Sequence, residues 1–418
     1  MEDLHFNCPA LFLILPFTLL PSLSTSFSPC NFPAIFNFGD SNSDTGGISA
    51  AFGQAPPPYG ETYFHQPSGR YSDGRLIIDF ISTGLGLPYL SAYLDSVGSN
   101  YSHGANFATA GSTIRPQNTT MAQSGYSPIS LDVQLVQYLD FRKRSQTFHR
   151  QGGGVFEKLL PKEDHFNQAL YTFDIGQNDL TSGFKLNMTF EQVKAYIPDL
   201  ITQFSNTLKK VYARGGRSFW VHNTGPLGCL PYVLDRFLIT AAQIDKFGCA
   251  TPFNDVAQFF NHQLKEAIYG LRRELPEASI TYVDVYSVKH KLVTQAKRFG
   301  TEIEFPASRL FLQNVKKDWM IVLLLLLVFS GFHSPLVACC GHGGKYNFNR
   351  FRKCGATITV RGKETLIADS CRDPSVRVNW DGAHYTEAAN KWVSEQIING
   401  SYSDPPIALC MSCNRIEH

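Results

Sequence analysis

Short apolar runs alternate along the chain with longer segments of helical period. Four of the short runs end in polar or Gly/Asn-rich turns, as buried parallel strands do: 34–38, 169–173, 217–222 and 279–285. Apolar residues recur at helical spacing in two long segments, 190–212 and 255–274, and a further helix is predicted from 385 or 386 to about 398. Strands that alternate with helices predict an α/β fold with a doubly wound parallel sheet.

A polar turn follows the first predicted strand, in the stretch "FNFGDSNSDTGG" at 36–47, and Ser41 lies at its apex. Ligands of doubly wound folds bind beyond the carboxyl ends of the strands, so this turn is a candidate site. A serine hydroxyl becomes an effective nucleophile only when a neighbouring base takes its proton. The sequence has no G-x-S-x-G element, which argues against the α/β-hydrolase arrangement.

A candidate base lies near the C-terminus, in "NWDGAHYTEAANKW", where Asp381 precedes His384 by three residues. One tight turn can bring this carboxylate to the imidazole, fix the tautomer of the ring and stabilise its cation. The alternative is that Asp381 caps a helix and that His384 is an ordinary residue of its first turn. Taken together with Ser41, the pattern favours catalysis.

Two further stretches can stabilise an oxyanion. "FDIGQNDLT" ends a predicted strand and carries Asn178, whose amide can donate a hydrogen bond over the edge of the sheet. "GANFATAGSTI", at 104–114, has small residues that let backbone N–H groups approach a ligand, and Gly111 is the predicted donor. This stretch belongs to a long loop-like segment, 98–126, that we expect over the active-site face. Taken singly, both stretches are also ordinary turn chemistry.

The composition fits one large domain and a small or neutral partner. The chain has 418 residues, 43% of them hydrophobic, and 37 Lys or Arg against 35 Asp or Glu. This length can bury a sizeable core. A nearly balanced charge provides no field that would recruit nucleic acid or an anionic membrane.

The N-terminus has the pattern of a signal peptide, with an apolar stretch at 10–20 and small residues before Cys30. Residues 1–28 are predicted to be removed, and a buried or anchoring helix is the alternative. Export also fits four glycosylation sequons, at Asn100, Asn118, Asn187 and Asn399. We therefore expect a secreted glycoprotein.

Nine cysteines follow residue 28, and in an oxidising compartment they should mostly pair and leave one odd thiol. "CCGHGG", with Cys339, Cys340 and His342, is an alternative zinc site. Adjacent cysteines lack the two-residue gap of a zinc knuckle, so disulfides are favoured and no metal is predicted.

Four stretches, "FGDSNSDTG", "GANFATAG", "GQNDL" and "DGAHYTEAAN", resemble the signature blocks of plant GDSL-type esterase/lipases, of the SGNH hydrolase superfamily, in the same order. The resemblance covers about 31–398 and implies a three-layer α/β/α sandwich with a flavodoxin-like sheet. It also implies hydrolysis of carboxylic esters without a metal or other cofactor. Ser41 would be the nucleophile, His384 the base and Asp381 its orienter. Gly111 and Asn178 would donate to the oxyanion, together with the N–H of Ser41.

Within this family the chain is most similar to the early-nodulin-like branch, through "GDSNSDTGG", "NFATAGSTI" and "PQNTTMAQSGYSPISLDVQ". That branch includes acetyl esterases and proteins named α-L-fucosidases. The implied function is hydrolysis of a small-molecule or polysaccharide acyl ester by a monomer in the apoplast or cell wall. Glycoside hydrolysis is an alternative, but it usually needs two carboxylates, and Asp40 and Asp44 are more simply turn caps. A wall glycoprotein without turnover is a third possibility.

The segment 301–331 interrupts the predicted domain, which spans 29–400 and is followed by a tail at 401–418. In the family, a few residues separate "TQAKRFG" from "PLVACCGHGG", whereas about thirty intervene in this chain. The apolar run at 319–329 has 11 residues, too few to cross a hydrocarbon core of about 30 Å, so no stable membrane span is expected. We interpret 301–331 as an insertion that arises from a retained intron, either as an artefact of the gene model or as a splice variant.

Two expectations concern the surroundings of the site. Tyr, Phe and Pro residues of "GQAPPPYGETYFHQPSGRYSDGR", at 53–75, are expected to line or support the cleft, with a Pro-rich surface loop as the alternative. His103 and His222 are expected to be structural.

Overall fold

The computed structural model describes residues 28–119, 121–152, 154–299 and 331–415. These residues form the strands β1 (Ile35–Gly39), β2 (Gly104–Asn106), β3 (Leu170–Asp174), β4 (Ser218–His222), β5 (Ser279–Val283), β6 (Thr357–Val360), β7 (Lys363–Leu366) and β8 (Ser403–Asp404). The central sheet has the order β2-β1-β3-β4-β5-β8, and β6 pairs with β7 in a separate hairpin. Strands β1 to β5 run parallel, and β8 runs antiparallel to β5.

The helices of the described residues are α1 (Gly47–Phe52), α2 (Ile77–Gly84), α3 (Met121–Ser124), α4 (Leu131–Arg150), α5 (His165–Gln168), α6 (Gln177–Lys185), α7 (Phe190–Tyr212), α8 (Pro231–Arg236), α9 (Thr251–Glu274), α10 (Val285–Thr294) and α11 (Glu387–Ile398).

Helices cover both faces of the central sheet. On one face, Phe36 and Phe38 of β1 pack in a core with residues of α4, α7 and α9. On the other face, Ile35 of β1 and Leu170 of β3 pack with residues of α2, α10 and α11. Successive side chains of a strand point to opposite faces, so one strand supplies both cores. The predicted three-layer α/β/α sandwich is confirmed.

The four predicted strands are confirmed within two residues. Each is buried along its whole length, which is why each reads as a continuous apolar run. The fourth ends at Val283 rather than at 285, because Asp284 already caps the next helix by accepting a hydrogen bond from the N–H of Ser287.

The predicted helices are also present. Helix α7 has the predicted bounds, and a capping box of Thr189 and Gln192 fixes its start. Helix α9 begins at Thr251, four residues before the predicted start, with a proline in its first turn, where no intrahelical N–H is needed. The segment 98–126 is less irregular than predicted, since it contains β2, paired with β1, and the short helix α3.

The residues that the sequence assigns to a C-terminal tail pack against the domain. Strand β8 extends the sheet, and its Asp404 forms ion pairs with Lys265 and Arg272 of α9. A disulfide joins Cys413 to Cys30, close to the start of the described chain.

Four disulfides occur within the described residues: Cys30–Cys413, Cys229–Cys249, Cys339–Cys371 and Cys340–Cys354. The disulfide interpretation of the adjacent cysteines is thus confirmed over the zinc alternative. No cysteine of the described ranges is free, so the expected odd thiol is not found among them. The same ranges contain no group of three His, Cys, Asp or Glu residues that could hold a metal ion.

Two predicted segments fall outside the described residues, except for one end residue of each: the signal peptide at 1–28 and the insertion at 301–331. The flanks of the second are described and close together. The N–H of Phe332 donates to the C=O groups of Ala296 and Phe299, at 2.8 and 2.9 Å. None of the helices in the described ranges combines the length and apolarity that crossing a membrane requires.

Candidate active site

The turn after β1 holds Ser41 at the carboxyl end of the sheet. Gly39 ends the strand and exchanges two hydrogen bonds with the side-chain amide of Gln134, at 3.0 and 2.8 Å. The N–H of Asp40 donates to the C=O of Asp174, which continues the pairing of β1 with β3 by one residue. Ser41 is 6% exposed. Its backbone is therefore fixed from both sides, at the edge where parallel sheets bind ligands.

The two aspartates that flank Ser41 serve the turn, as predicted. Oδ1 of Asp40 accepts hydrogen bonds from the N–H and the side-chain amide of Asn42, both at 2.9 Å. The carboxylate of Asp44 accepts from the three N–H groups of 46–48, where α1 begins. These bonds engage both oxygens of Asp44 and one oxygen of Asp40.

Asp381 and His384 form a close pair in the loop before α11. Nδ1 of His384 lies 2.6 Å from Oδ2 of Asp381, and Tyr59 donates its hydroxyl to the same oxygen at 2.7 Å. Oδ1 accepts from the N–H groups of Ala383 and His384, at 3.0 Å each. Thr386, not Asp381, caps α11, so the helix-cap alternative is wrong.

The carboxylate of Asp381 is ionised over the whole physiological range. Burial acts to raise its pKa, but the charge of His384 and the hydrogen bonds to the carboxylate outweigh burial and hold the pKa at about 2. Such a carboxylate can keep the imidazole in the tautomer with hydrogen on Nδ1 and leave Nε2 as the acceptor.

The charge of His384 acts on the turn of Ser41. Burial and the neighbouring Asp174 raise the pKa of Asp40, the residue before the serine, whereas the charge of His384 lowers it. The ring of Tyr71 packs against His384 with a centroid distance of 5.4 Å. With the bond from Tyr59 to Asp381, two tyrosines of the segment 53–75 thus contact the Asp381–His384 pair.

Two carboxylates fix the loop that carries Gly111. Oδ2 of Asp44 accepts the N–H of Ala110 at 2.7 Å. Asp179 accepts the N–H groups of residues 114 and 115, at 2.9 and 3.1 Å. Gly111 has φ +82°, and a Cβ there would lie 2.9 Å from the N atom of Ser127, so only glycine fits this position without strain.

Asn178 lies in the first turn of α6, directly after β3. Its Nδ2 donates to the C=O of Ser112 at 2.9 Å and lies 3.4 Å from Oδ2 of Asp40. The amide is thus held between the loop of Gly111 and the turn of Ser41. The N-terminal end of a helix also favours negative charge nearby.

Several polar groups of the candidate site remain available to a ligand. Within the described residues, the hydroxyl of Ser41 and the N–H groups of Ser41 and Gly111 make no hydrogen bond. The described contacts therefore do not include a hydrogen bond between Ser41 and His384. In ligand-free active sites such bonds are often long and tighten when the substrate binds.

A second Asp–His pair lies below the site and was not predicted. Nδ1 of His222 is 3.1 Å from Oδ2 of Asp174, and Nε2 accepts the indole N–H of Trp220 at 3.1 Å. Both ring nitrogens are engaged in buried contacts, which fits the structural role expected for His222. Burial acts to raise the pKa of Asp174, but His222 and the buried Lys289 lower it overall. The sequence signal was the position of His222 at the end of a strand.

The remaining site predictions concern the surface. The asparagines of the four sequons are all exposed: Asn100, Asn118, Asn187 and Asn399. Their glycosylation stays a prediction. His103 is also near the surface, and its Nδ1 contacts the C=O of Pro33 at 3.0 Å, so it takes no part in the site.

The family model described as GDSL-like Lipase/Acylhydrolase matches residues 35–397, nearly the whole described domain. The chain belongs to this family. GDSL hydrolases of this kind are carboxylic ester hydrolases, so the activity class follows from membership.

The GDSL relatives match almost end to end. The chain is 61% identical to "GDSL esterase/lipase At3g26430" of Arabidopsis thaliana, over 92% of this chain and 93% of that protein. It is 54% identical to "Alpha-L-fucosidase 3" of Arabidopsis thaliana, over 94% and 97%. It is 47% identical to "GDSL esterase/lipase ENOD8" of Medicago truncatula, over 92% and 91%. The resemblance to the early-nodulin-like branch is confirmed.

Proposed function

We propose that the chain is a secreted serine esterase that cleaves acyl or acetyl esters through Ser41, His384 and Asp381. The observation that carries the proposal is the 2.6 Å contact between His384 and an ionised Asp381. An imidazole held in this way is a general base whose cation is stabilised as it forms.

In the proposed reaction, Nε2 of His384 takes the proton of Ser41 while Oγ attacks the carbonyl carbon of the ester. The oxyanion accepts hydrogen bonds from the N–H groups of Ser41 and Gly111 and from Nδ2 of Asn178. The C–O bond to the alcohol then breaks, and His384 protonates the leaving oxygen. Water, deprotonated by His384, releases the acid from the acyl-enzyme and restores the serine.

Glycoside hydrolysis is the second candidate, favoured by the relative named "Alpha-L-fucosidase 3". It needs two carboxylates that are free to meet the sugar. The carboxylates of Asp44 and Asp179 accept four and two backbone N–H groups respectively, and Asp381 is paired with His384. This engagement favours ester cleavage. An esterase acting on acetylated sugars would reconcile the two activities.

Secretion is part of the proposal. Four disulfides within the described residues fit an oxidising compartment, because cytosolic thiols are kept reduced. The full chain expressed in plant cells should be recovered from the extracellular fluid, with a mass increase that an N-glycosidase removes. Retention in the cytosol with free thiols would contradict this part of the proposal.

A panel of chromogenic acetyl, butyryl and long-chain esters and of fucosides, tested on the wild type and on Ser41→Ala, separates the candidate functions. The esterase proposal predicts that the wild type cleaves esters and that Ser41→Ala loses at least about 10³-fold in kcat. Fucoside cleavage that persists in Ser41→Ala, with esters untouched by the wild type, would reverse the assignment. Absence of any turnover would favour the wall glycoprotein.

A further inference from the structure

Helix α6 leads from the candidate oxyanion donor to a partly buried cation. Asn178 and Lys185 are seven residues apart, which corresponds to two turns, so both lie on one face about 10 Å apart along the axis. Nζ of Lys185 lies 4.0 Å from the ring centroid of Tyr126 and 5.8 Å from that of Tyr232. Thr181 lies between the two positions and contacts the hydroxyl of Tyr126 at 3.3 Å.

Two further cations act electrostatically on Lys185. Burial lowers its pKa to about 8, and the positive charges of Arg236 and Lys353 add to the effect. Among the described residues, none of the three cations forms an ion pair, and neither does the adjacent Asp235. Like charges brought together without a counter-charge cost free energy, which an anionic ligand would recover. We call Lys185, Arg236 and Lys353 the cationic cluster.

The cationic cluster is connected to the catalytic loop. The N–H of Tyr232 donates to the C=O of Gly382, the residue after Asp381, at 3.0 Å. The ring of Phe348 packs where a side chain of Gly382 would lie, and it meets Tyr232 edge to face at 6.1 Å. The buried hydroxyl of Tyr232 approaches Thr181 without completing a hydrogen bond of normal geometry. The ring of Tyr232, whose hydroxyl makes no hydrogen bond to a described residue, therefore connects Lys185 to the loop of Asp381.

Lys353 belongs to a strongly basic segment. Residues 341–372 carry seven Lys or Arg and two Asp or Glu, although the whole chain is nearly balanced at 37 and 35. The basic side chains are exposed and form no ion pair within the described residues: Lys345, Arg350, Arg352, Lys353, Arg361, Lys363 and Arg372. Two disulfides, Cys339–Cys371 and Cys340–Cys354, fix this segment to the domain. The local charge favours a polyanion, which the overall charge does not reveal.

We propose that the cationic cluster binds a carboxylate of the substrate, and that the substrate is an acyl ester carried by a polyuronate, an acidic polysaccharide. The proposal rests on the esterase function proposed above. The distance of two helical turns from Asn178 means that the carboxylate and the scissile ester belong to different parts of the ligand. The basic segment extends the contact along the chain of sugars.

Binding is tested with unacetylated trigalacturonate, a probe that needs no turnover, and with mannotriose as its neutral counterpart. At low ionic strength, calorimetric titration of the wild-type protein should show that trigalacturonate binds at least about tenfold more tightly than mannotriose does. Lys185→Met keeps an apolar stem against Tyr126 and should remove most of this difference. Lys143→Met removes the same charge from an exposed position of α4 and should leave the difference intact.

Turnover is tested with O-acetylated polygalacturonate and O-acetylated mannan of equal acetyl content. The kcat/KM for polygalacturonate divided by that for mannan should exceed one in the wild type. This ratio should fall about tenfold in Lys185→Met. It should also fall when added salt shortens the Debye length from about 30 to about 3 Å. Equal ratios in the wild type and in Lys185→Met would overturn the proposal. So would binding to vesicles of anionic lipid without any preference for the anionic polysaccharide.

The two proposals fail in different ways. If the wild type cleaves neutral esters but shows no preference for trigalacturonate, only the polyuronate assignment falls. If trigalacturonate binds through Lys185 but no ester of any kind is cleaved, the esterase function falls.

Discussion

Nδ1 of His384 and Oδ2 of Asp381 lie 2.6 Å apart, and the carboxylate is held in its ionised form. Asp381→Asn should lower kcat for p-nitrophenyl acetate by about 10³–10⁴-fold, because an amide neither stabilises the imidazolium nor selects the required tautomer. Tyr59→Phe removes one hydrogen bond to the same oxygen and should cost roughly tenfold or less. Losses of equal size in the two variants would show that geometry, rather than charge, is what Asp381 contributes.

Asn178 is held over the turn of Ser41 by its hydrogen bond to the C=O of Ser112. Asn178→Ala should lower kcat by about 10²–10³-fold and change KM little, because an oxyanion donor acts mainly in the transition state. Steady-state kinetics on an acetyl ester would measure both constants. Gln177→Ala is the matched control on the same turn, since the Gln177 side chain makes no hydrogen bond within the described residues. A loss that appears in KM alone would contradict the assigned role.

The elements that the sequence predicts well are determined by residues that are close together along the chain. The start of helix α7 is predictable because Thr189 and Gln192, three residues apart, form a capping box. The buried strands could be recognised because both of their faces are covered and their runs are uniformly apolar. The pair of Asp381 and His384 is equally local, since one tight turn holds both residues.

The features that the sequence missed depend on contacts between distant residues. Strand β2 has three residues and exists because it pairs with β1, about 70 positions earlier. Gln134 lies on helix α4 and supports the turn of Ser41, and no motif in the neighbouring sequence indicates this role. Lys185 and Lys353 lie 168 positions apart, and the chain must fold before their charges meet.

Stability should be highest in mildly acidic solution. Burial raises the pKa of Asp179 to about 7, and burial with the nearby Asp174 also raises the pKa of Asp40. The folded chain therefore binds more protons than the unfolded chain from about pH 4 upward, and the free energy of unfolding falls as pH rises toward 7. Asp381 and Asp404 have pKa values lowered to about 2, so their contribution is lost as pH falls from about 4 to 2.

The melting temperature, measured by calorimetry from pH 2.5 to 7.5, should accordingly pass through a maximum near pH 4. Asp40→Asn should flatten the decline between pH 4 and 7, whereas Asp95→Asn, at an exposed position, should not. A melting temperature that rises steadily to pH 7.5 in the wild type would be incompatible with the raised pKa values.

Removal of residues 301–330, the predicted insertion without its last residue, should leave the fold intact. The N–H of Phe332 already donates to the C=O of Phe299 at 2.9 Å. Deletion of residues 301–330 would join Gly300 to Gly331 and make this contact the closing bond of a four-residue turn with two central glycines. The deletion variant should keep its melting temperature within a few degrees and its kcat/KM within about twofold.

A second variant, Gly331→Ala in the shortened chain, tests whether the new turn requires glycine at this position. Gly331 has φ +113°, and a Cβ there would collide with the C=O of Lys297, so this variant should be clearly less stable than the shortened parent. Failure of the shortened chain itself to fold would mean that residues 301–330 are required by the domain.

The central claim, a covalent acyl intermediate on Ser41, is tested most directly by trapping that intermediate. The full chain is mixed with p-nitrophenyl acetate, quenched in acid within the first turnover, digested and examined by peptide mass spectrometry. The account predicts one acetyl group, on Ser41, which is absent from Ser41→Ala and strongly reduced in His384→Ala. Sustained ester hydrolysis with an unmodified Ser41, or with the acetyl group on another residue, would contradict it.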